Sequence, residues 1–251
     1  MSRFPIPERT LQPPVSNYTT PADSYFNHIT RASCYEAEAA AHYIADNPPV
    51  GRIVAIDIET RGLDKFFIRC VTGAWDVGNE TISVFLDPRH PPQREAIKRM
   101  IGVAGTIVLH NAPYDIPGLY QNYLMELDDI NKVWDTLVLA RMYNTDFKGG
   151  RDLDTLASKY ADFPELSTKI EQSFAIMGYK PAVDAETGEK FSGKDMAFRN
   201  STPNDPIYRA GAMADTVATL RILPILWEMV REQQVNFAAQ LPSPGFTGSV
   251  T

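Results

Sequence analysis

The segment Arg52–Glu59 (RIVAIDIE) is the feature that most restricts the fold of this chain. It is a short run of β-branched and apolar residues that ends in acids, which is typical of a buried strand. Two similar runs follow at Ile68–Trp75 and Thr81–Leu86, separated by the turn-forming pair Gly78–Asn79. These three runs predict strands of one sheet.

The segments around these strands predict helices on a central sheet. A helix is expected at Gln93–Ile101 and a fourth strand at Thr106–His110. Helix-forming residues also fill Arg31–Asp46, up to Asn47 and two prolines. Further helices are predicted at Ile116–Met125, Trp134–Tyr143, Leu153–Tyr160 and Ile207–Val230. This order predicts an α/β fold with a central mixed sheet flanked by helices.

Changes in composition divide the chain into three predicted parts. Residues 1–50 are expected to form a proline-rich arm followed by a helix, and residues 51–232 the main domain. Residues 233–251 are expected to be a flexible tail. Within the main domain, the polar segment 181–205 is either a long loop or a small insertion.

Charge and cysteine content limit the classes of function. The net charge of −7 argues against broad electrostatic binding of nucleic acid, although a site that collects metal ions must itself be acidic. Two cysteines cannot form a disulfide framework, and no apolar run approaches the roughly 20 residues needed to cross a bilayer. We therefore expect a cytoplasmic protein (host cytoplasm if viral) that does not contact membranes.

Asp57 and Glu59 are the first candidate metal ligands. Side chains alternate along a strand, so both carboxylates point to one face of the sheet. Two carboxylates on a partly buried face repel each other unless a cation lies between them. Considered alone, this short motif is more often a strand end where acids reach solvent.

Two later acids complete the candidate set. Asp115 follows Pro113 in the first turn of a predicted helix, where it could also be a capping residue. Asp215 lies among small apolar residues in a helix, although a solvated position would explain it equally well when considered alone. Together, four carboxylates suit hard cations such as Mg²⁺ or Mn²⁺. Two such ions would activate a water and stabilise the leaving oxygen of a phosphodiester.

Three segments resemble the motifs of DEDD 3′–5′ exonucleases, especially the proofreading domain of family A DNA polymerases, including those of bacteriophages. They are DIETRGLD (57–64), HNAPYD (110–115) and ADTVATLRIL (214–223). The resemblance covers residues 51–232. It implies a ribonuclease H-like exonuclease fold, two bound metal ions and removal of nucleotides from a 3′ end.

The resemblance also implies a role for each motif residue. The catalytic carboxylates that bind metal would be Asp57, Glu59, Asp115 and Asp215. The residues near the terminal nucleotide would be Thr60, Leu63, Asn111 and Tyr114. Asp135 matches an Asp-Thr-led helix of the family, where we expect a structural acid rather than a metal ligand.

The third motif departs from the family pattern at the residue that orients the attacking water. The family has Tyr four residues before the last Asp, or His five before it, whereas Gly211 and Ala210 stand there. Tyr208 lies on the same helical face as Asp215 but about 10 Å away along the axis. Either Tyr208 takes this role, or metal-bound hydroxide acts with weaker help, or a base comes from residues 181–205, or activity is lost.

Three functions remain open from the sequence. The first is a free-standing DNA exonuclease that acts on single-stranded or frayed 3′ ends and proofreads for a DNA polymerase on another chain. The second is an RNA 3′-trimming exonuclease of the ribonuclease D kind. The third is a nucleic-acid-binding protein with a catalytically weakened nuclease fold.

Overall fold

A six-stranded mixed sheet forms the centre of the computed structural model, which describes residues 31–61, 64–143, 150–163, 180–183, 188, 190–193, 196, 203–204 and 206–240. Its strands are β1 (Ala32–Glu36), β2 (Ile53–Arg61), β3 (Asp64–Val77), β4 (Glu80–Leu86), β5 (Thr106–Leu109) and β6 (Val133–Asp135). Their order across the sheet is β1-β4-β3-β2-β5-β6. β3 is antiparallel to β2 and β4, and the other pairs are parallel. A separate ribbon pairs β7 (Ala182–Val183) with β8 (Lys190–Phe191).

Helices cover both faces of the sheet. They are α1 (Ala37–Asp46), α2 (Pro91–Val103), α3 (Ala112–Gln121), α4 (Thr136–Tyr143), α5 (Leu153–Tyr160) and α6 (Pro206–Gln240), with a 3₁₀ helix at Leu127–Lys132. One apolar core lies between the sheet and α1, α2 and α3, and a second lies between the sheet and α4, α5 and α6. The predicted α/β fold is confirmed. No helix in the described part of the chain is both long and apolar enough to cross a bilayer.

Alternation along β2 decides which face carries the acids. Val54, Ile56 and Ile58 pack into the core under α1, α2 and α3, whereas Ala55 packs into the core under α6. Since side chains of a strand alternate, Asp57 and Glu59 share the face of Ala55 and point toward α6.

Four of the sequence-based predictions of secondary structure are wrong in part. Residues Ala32–Glu36 form strand β1 rather than the start of a helix, because pairing with β4 outweighs their helix propensity. Residues 32–46 thus belong to the same packed body as the later strands. Similarly, the helix predicted from Trp134 begins only at Thr136, since Val133–Asp135 pairs with β5.

The long helix α6 also corrects the predicted tail. It continues to Gln240, so residues 233–240 are helical instead of unstructured. The helix predicted at Ile116–Met125 is shifted: α3 runs from Ala112 to Gln121. The proline-rich arm and most of segment 181–205 lie outside the described residues, apart from the small β7–β8 ribbon.

Candidate active site

Three carboxylates meet between β2 and α6. One carboxylate oxygen from each of Asp57, Glu59 and Asp215 lies within 4.8 Å of the others. Helix α6 is held over the sheet by Thr72 of β3, whose hydroxyl donates a hydrogen bond of 3.1 Å to the Ala212 carbonyl. Because Thr72 is paired with Asp57 in the sheet, this bond places Asp215 opposite the acids of β2.

Asp115 joins this group from the other side of β2. Strand β5 pairs only with Ile53–Ala55, so the next residues of β2 have no strand neighbour on that side. Helix α3 fills the gap: the buried carboxylate of Asp115 accepts a hydrogen bond from the Ile58 amide at 3.3 Å. Asp115 is not part of the three-residue cluster within 4.8 Å. It lies close enough to Asp57 that the charge of Asp57 adds to the effect of burial in raising the pKa of Asp115.

Burial and mutual repulsion dominate the electrostatics of these acids. Burial raises the pKa of Asp57, and burial together with the charge of Asp57 raises the pKa of Glu59. The pKa of Asp215 is also raised well above its usual range, first by burial and then by both of these charges. Arg69 is the cation that counteracts the pKa rise at Glu59. The ionised cluster would carry more negative charge than this guanidinium offsets.

The donor set of the cluster fits a divalent cation. Its ligand atoms are carboxylate oxygens without nitrogen or sulfur, which suits Mg²⁺ or Mn²⁺ rather than zinc. A bound cation would also stabilise the ionised forms that burial disfavours. Three of the four predicted ligands thus come together with donors that suit such a cation, and metal binding by these residues stays a prediction.

Asp135 fixes the start of helix α3. Its carboxylate accepts hydrogen bonds from the amides of Asn111 (3.1 Å) and Ala112 (3.0 Å), and from those of Leu137 (2.8 Å) and Val138 (3.4 Å). One side chain thus caps α3 and the beginning of α4. The expected structural role of this acid is confirmed.

Thr136 adds a second link to the same motif. Its hydroxyl donates to the Leu109 carbonyl at 3.2 Å and lies 2.9 Å from Nδ1 of His110. Burial lowers the pKa of His110, which favours a neutral imidazole. The Asp-Thr pair therefore fixes both the end of β5 and the turn that leads into α3.

Two of the predicted nucleotide-contacting residues, Thr60 and Tyr114, lie beside the acids. The Thr60 hydroxyl and the Tyr114 hydroxyl are 2.6 Å apart, so the first and second motifs are hydrogen-bonded to each other. Asn111 is exposed at the start of α3 with a left-handed backbone (φ 72°), a conformation that Asn tolerates better than most residues. Leu63 lies outside the described residues.

Tyr208 lies near Glu59. Its ring packs with Cys70 and Phe85, and Cys70 is paired with Glu59 across β2 and β3. Its hydroxyl is buried and has no partner in hydrogen-bonding geometry among the described residues. Burial, followed by the charge of Glu59, raises the pKa of Tyr208, while nearby Arg69 opposes the rise.

Arg69 is the residue near the site that the sequence interpretation missed. It is 9% exposed on β3 and close enough to both Glu59 and Tyr208 to affect their pKa values. The available signal was a single charged residue within the apolar run that begins at Ile68. A buried cation in such a run is explained by a buried acid on the neighbouring strand.

Solved structures of low sequence identity share this fold. A ribonuclease D–GMP complex from Trypanosoma brucei is 10% identical with a TM-score of 0.52, over 90% of this chain and 69% of that chain. NrnC from Brucella melitensis is 13% identical with a TM-score of 0.51, over 82% and 86%. The catalytic core of RRP6 from Trypanosoma brucei, as a C496S mutant, is 14% identical with a TM-score of 0.50, over 82% and 50%. At these identities the likeness concerns the fold alone.

Sequence comparison identifies a relative and a family. The Drosophila melanogaster protein wings apart-like is 24% identical over 185 residues, which cover 70% of this chain and 10% of that protein. This chain thus corresponds to about a tenth of that relative's length. The model of the 3′–5′ exonuclease family of the DNA polymerase A type matches residues 31–231. Because this match spans most of the chain and includes all four carboxylates, the protein belongs to that 3′–5′ exonuclease family, whose members use divalent metal ions.

Proposed function

We propose that this protein hydrolyses phosphodiester bonds from the 3′ end of DNA, with Asp57, Glu59, Asp115 and Asp215 holding two Mg²⁺ or Mn²⁺ ions. The observation that carries the proposal is the partly buried carboxylate cluster between β2 and α6, with the buried Asp115 bonded to the backbone beside it. Burying several like charges is costly unless cations offset them. A purely structural role would not require all four.

The chain's own residues would bind and orient the 3′ end. The ions, when bound, would supply an activated water and stabilise the leaving oxygen. The hydrogen-bonded pair Thr60–Tyr114 would hold the terminal nucleotide against β2, together with Leu63 and the exposed Asn111. We assign Tyr208 to orienting the water, because neither Gly211 nor Ala210 carries a side chain able to do so.

RNA is the second candidate substrate. The matching family model is of the DNA polymerase A type, which supports DNA, and a polymerase on another chain is the partner we propose. One structure of the same fold is named as a ribonuclease D, which supports an RNA substrate. Contacts to the 2′-hydroxyl decide between the two nucleic acids.

The decisive experiment compares matched oligonucleotides labelled at either end. Single-stranded DNA, duplex DNA with a mismatched 3′ end, and single-stranded RNA of the same sequence are incubated with Mg²⁺ or with Mn²⁺. A 3′ exonuclease releases a 3′ label at once and shortens a 5′-labelled strand to a ladder. Faster digestion of DNA than of RNA supports the proposal, and the reverse order supports RNA trimming.

Matched variants test the site itself. Asp57→Asn and Asp215→Asn should each abolish digestion, whereas Asp128→Asn, which removes an exposed acid on the 3₁₀ helix, should leave it unchanged. Binding of single-stranded DNA without digestion in either metal would instead show a weakened nuclease that acts as a binding protein. Early loss of a 5′ label would refute the assigned direction.

A further inference from the structure

An open groove lies at the opposite end of the sheet from the carboxylates. It has a volume of about 780 Å³ and is lined by the beginnings of β2, β5 and β6 and by the middle of α6. Its apolar lining includes Ile53, Trp134, Leu223, Pro224 and Trp227. We call this surface the tryptophan groove.

Two half-exposed tryptophans dominate the groove. Their rings pack edge to face with centroids 4.6 Å apart, yet Trp134 remains 37% exposed and Trp227 44% exposed. Ile53 beside them is 47% exposed. Adjacent large apolar side chains left open in this way mark a binding surface rather than ordinary surface scatter.

Helix α6 adds a special backbone position to one wall. Pro224 has no amide hydrogen, so the Leu220 carbonyl cannot receive the usual helical hydrogen bond from residue 224. Both residues line the groove. The wall thus combines apolar surface with a carbonyl oxygen lacking its helical donor.

The chain enters the described part of the structure at the end of the sheet where the groove lies. Arg31, the first described residue, lies close enough to Arg221 to help lower its pKa, after the larger effect of burial. Ala32 packs in the same apolar core as Leu220 and Leu223 of the groove wall. Residues 1–30 therefore join the fold at the end of the sheet that carries the groove, but on β1, which lies at the opposite edge of the six-stranded sheet from Trp134 of β6; the arm must span about 24 Å to reach that residue.

The segment that precedes Arg31 has a composition that suits an aromatic groove. It contains prolines at positions 5, 7, 13, 14 and 21, two of them in the sequence Gln12-Pro13-Pro14. Proline-rich segments pack their rings on aromatic side chains and lose little conformational entropy when they bind. Sixteen residues separate Pro14 from Arg31, and such a length can span up to roughly 50 Å, so reach is not limiting.

We propose that the tryptophan groove is the docking site of this chain's own proline-rich arm, with the region around Pro13 and Pro14 on Trp134 and Trp227. The attachment at Arg31 gives the arm a high effective concentration at the groove, which a separate molecule would lack. Docking would cover the exposed tryptophan rings while leaving the carboxylates accessible.

Photo-crosslinking in the full-length chain tests this proposal. Gln12 is replaced by the photoreactive residue p-benzoylphenylalanine, and crosslinked peptides are identified by mass spectrometry. We expect crosslinks to the peptides that contain Trp134 or residues 220–227. The same photoreactive residue in place of Thr247, in the C-terminal segment, is the control and should not give this pattern.

Mixing isotopically light and heavy chains shows whether the arm binds its own molecule. Crosslinks within light or within heavy chains support the proposal, whereas mixed light–heavy crosslinks show that a second copy occupies the groove and overturn it. Crosslinks elsewhere, or none to the groove, also overturn it.

Tryptophan fluorescence gives an independent measurement. The double variant Pro13→Gly, Pro14→Gly changes no residue of the packed core and should red-shift the emission and increase quenching by acrylamide. Trp75 is 1% exposed and should contribute little to the change. An unchanged spectrum and unchanged quenching would count against docking of the arm.

Discussion

When ionised, the four acids of the site carry more negative charge than Arg69, their neighbouring cation among the described residues, offsets. Burial is the first cause of the raised pKa at each of them, and repulsion adds to it at Glu59, Asp115 and Asp215. A raised pKa means that the folded state disfavours the ionised carboxyl. The site thus lowers the stability of the metal-free protein in exchange for metal affinity.

Removing one of these charges should therefore stabilise the metal-free protein. We expect Asp215→Asn to raise the free energy of unfolding at pH 8 in EDTA by about 1 kcal/mol or more, since one pKa unit corresponds to about 1.4 kcal/mol. For a domain of this size, that is about 2–4 °C in the melting temperature. Asp128→Asn is the matched control and should change neither stability nor activity. A lower melting temperature for Asp215→Asn would contradict the electrostatic argument.

Tyr208 presents a different situation, because its buried hydroxyl lies near Arg69 and Glu59. Tyr208→Phe keeps the ring that packs on Cys70 and Phe85. If the hydroxyl orients the attacking water, kcat should fall about 10- to 100-fold with little change in KM. Stability should change by no more than about 1 kcal/mol, because the buried hydroxyl loses only its interaction with Arg69.

The control for this variant is Tyr120→Phe, which alters a tyrosine that is 42% exposed on α3. It should leave kcat unchanged. Full activity in Tyr208→Phe would mean that the hydroxyl does not orient the water. Another group would then replace the tyrosine that the family has at the position of Gly211.

At the level of elements, the site depends on how α3 is attached to β2 and β6. The Asp135 carboxylate caps α3 from the β6 side, and Asp115 one turn later bonds to the Ile58 amide of β2. The position of Asp115 therefore depends on a cap that touches neither metal nor substrate. Such supporting contacts tune metal sites without being ligands.

Asp135→Ala should weaken both the fold and metal binding. We expect a loss of about 2 kcal/mol in the free energy of unfolding, because several backbone amides lose their acceptor. The Mg²⁺ concentration for half-maximal activity should rise by about tenfold or more. The control is Asp152→Ala, which removes the cap of α5, where Asp152 accepts from the Thr155 amide at 2.9 Å.

The control should lose about 1 kcal/mol of stability with an unchanged Mg²⁺ requirement. An equal change in the metal requirement of the two variants would show that the effect of Asp135 is only global destabilisation.

The sequence allowed the central elements and the four acids to be predicted, because these signals are local. The apolar run of β2 predicts a strand, and the alternation of side chains along it places Asp57 and Glu59 on one face. Strand β1 could not be predicted, since its residues favour a helix and only pairing with β4 makes them a strand. Arg69 was missed, and the position of Tyr208 beside Glu59 could not be derived, for the same reason: both depend on which strands become neighbours.

At the scale of the whole molecule, α6 connects the two ends of the sheet. Asp215 near its beginning faces the acids, while Leu223, Pro224 and Trp227 line the tryptophan groove further along. Small buried residues such as Ala214 and Ala218 allow this helix to cross the sheet closely. Separation of the groove from the acids leaves the 3′-end site open when the groove is covered.

The stability of the whole protein should depend on pH and metal together. Carboxyl groups whose pKa is raised on folding contribute stability that is complete below about pH 4, their ordinary range, and is lost as pH rises through the native values. His110, whose pKa is lowered, destabilises the folded state only as the pH falls to about 6.5 and below.

The melting temperature in EDTA should therefore fall between about pH 6.5 and 8.5. Millimolar Mg²⁺ should remove most of this slope, because the ion binds the ionised carboxylates of the folded state. Asp215→Asn should flatten the EDTA curve as well, since it removes one of the raised groups. A melting temperature in EDTA that is constant or rises over this interval would contradict the raised pKa values of these carboxyl groups in the metal-free folded protein.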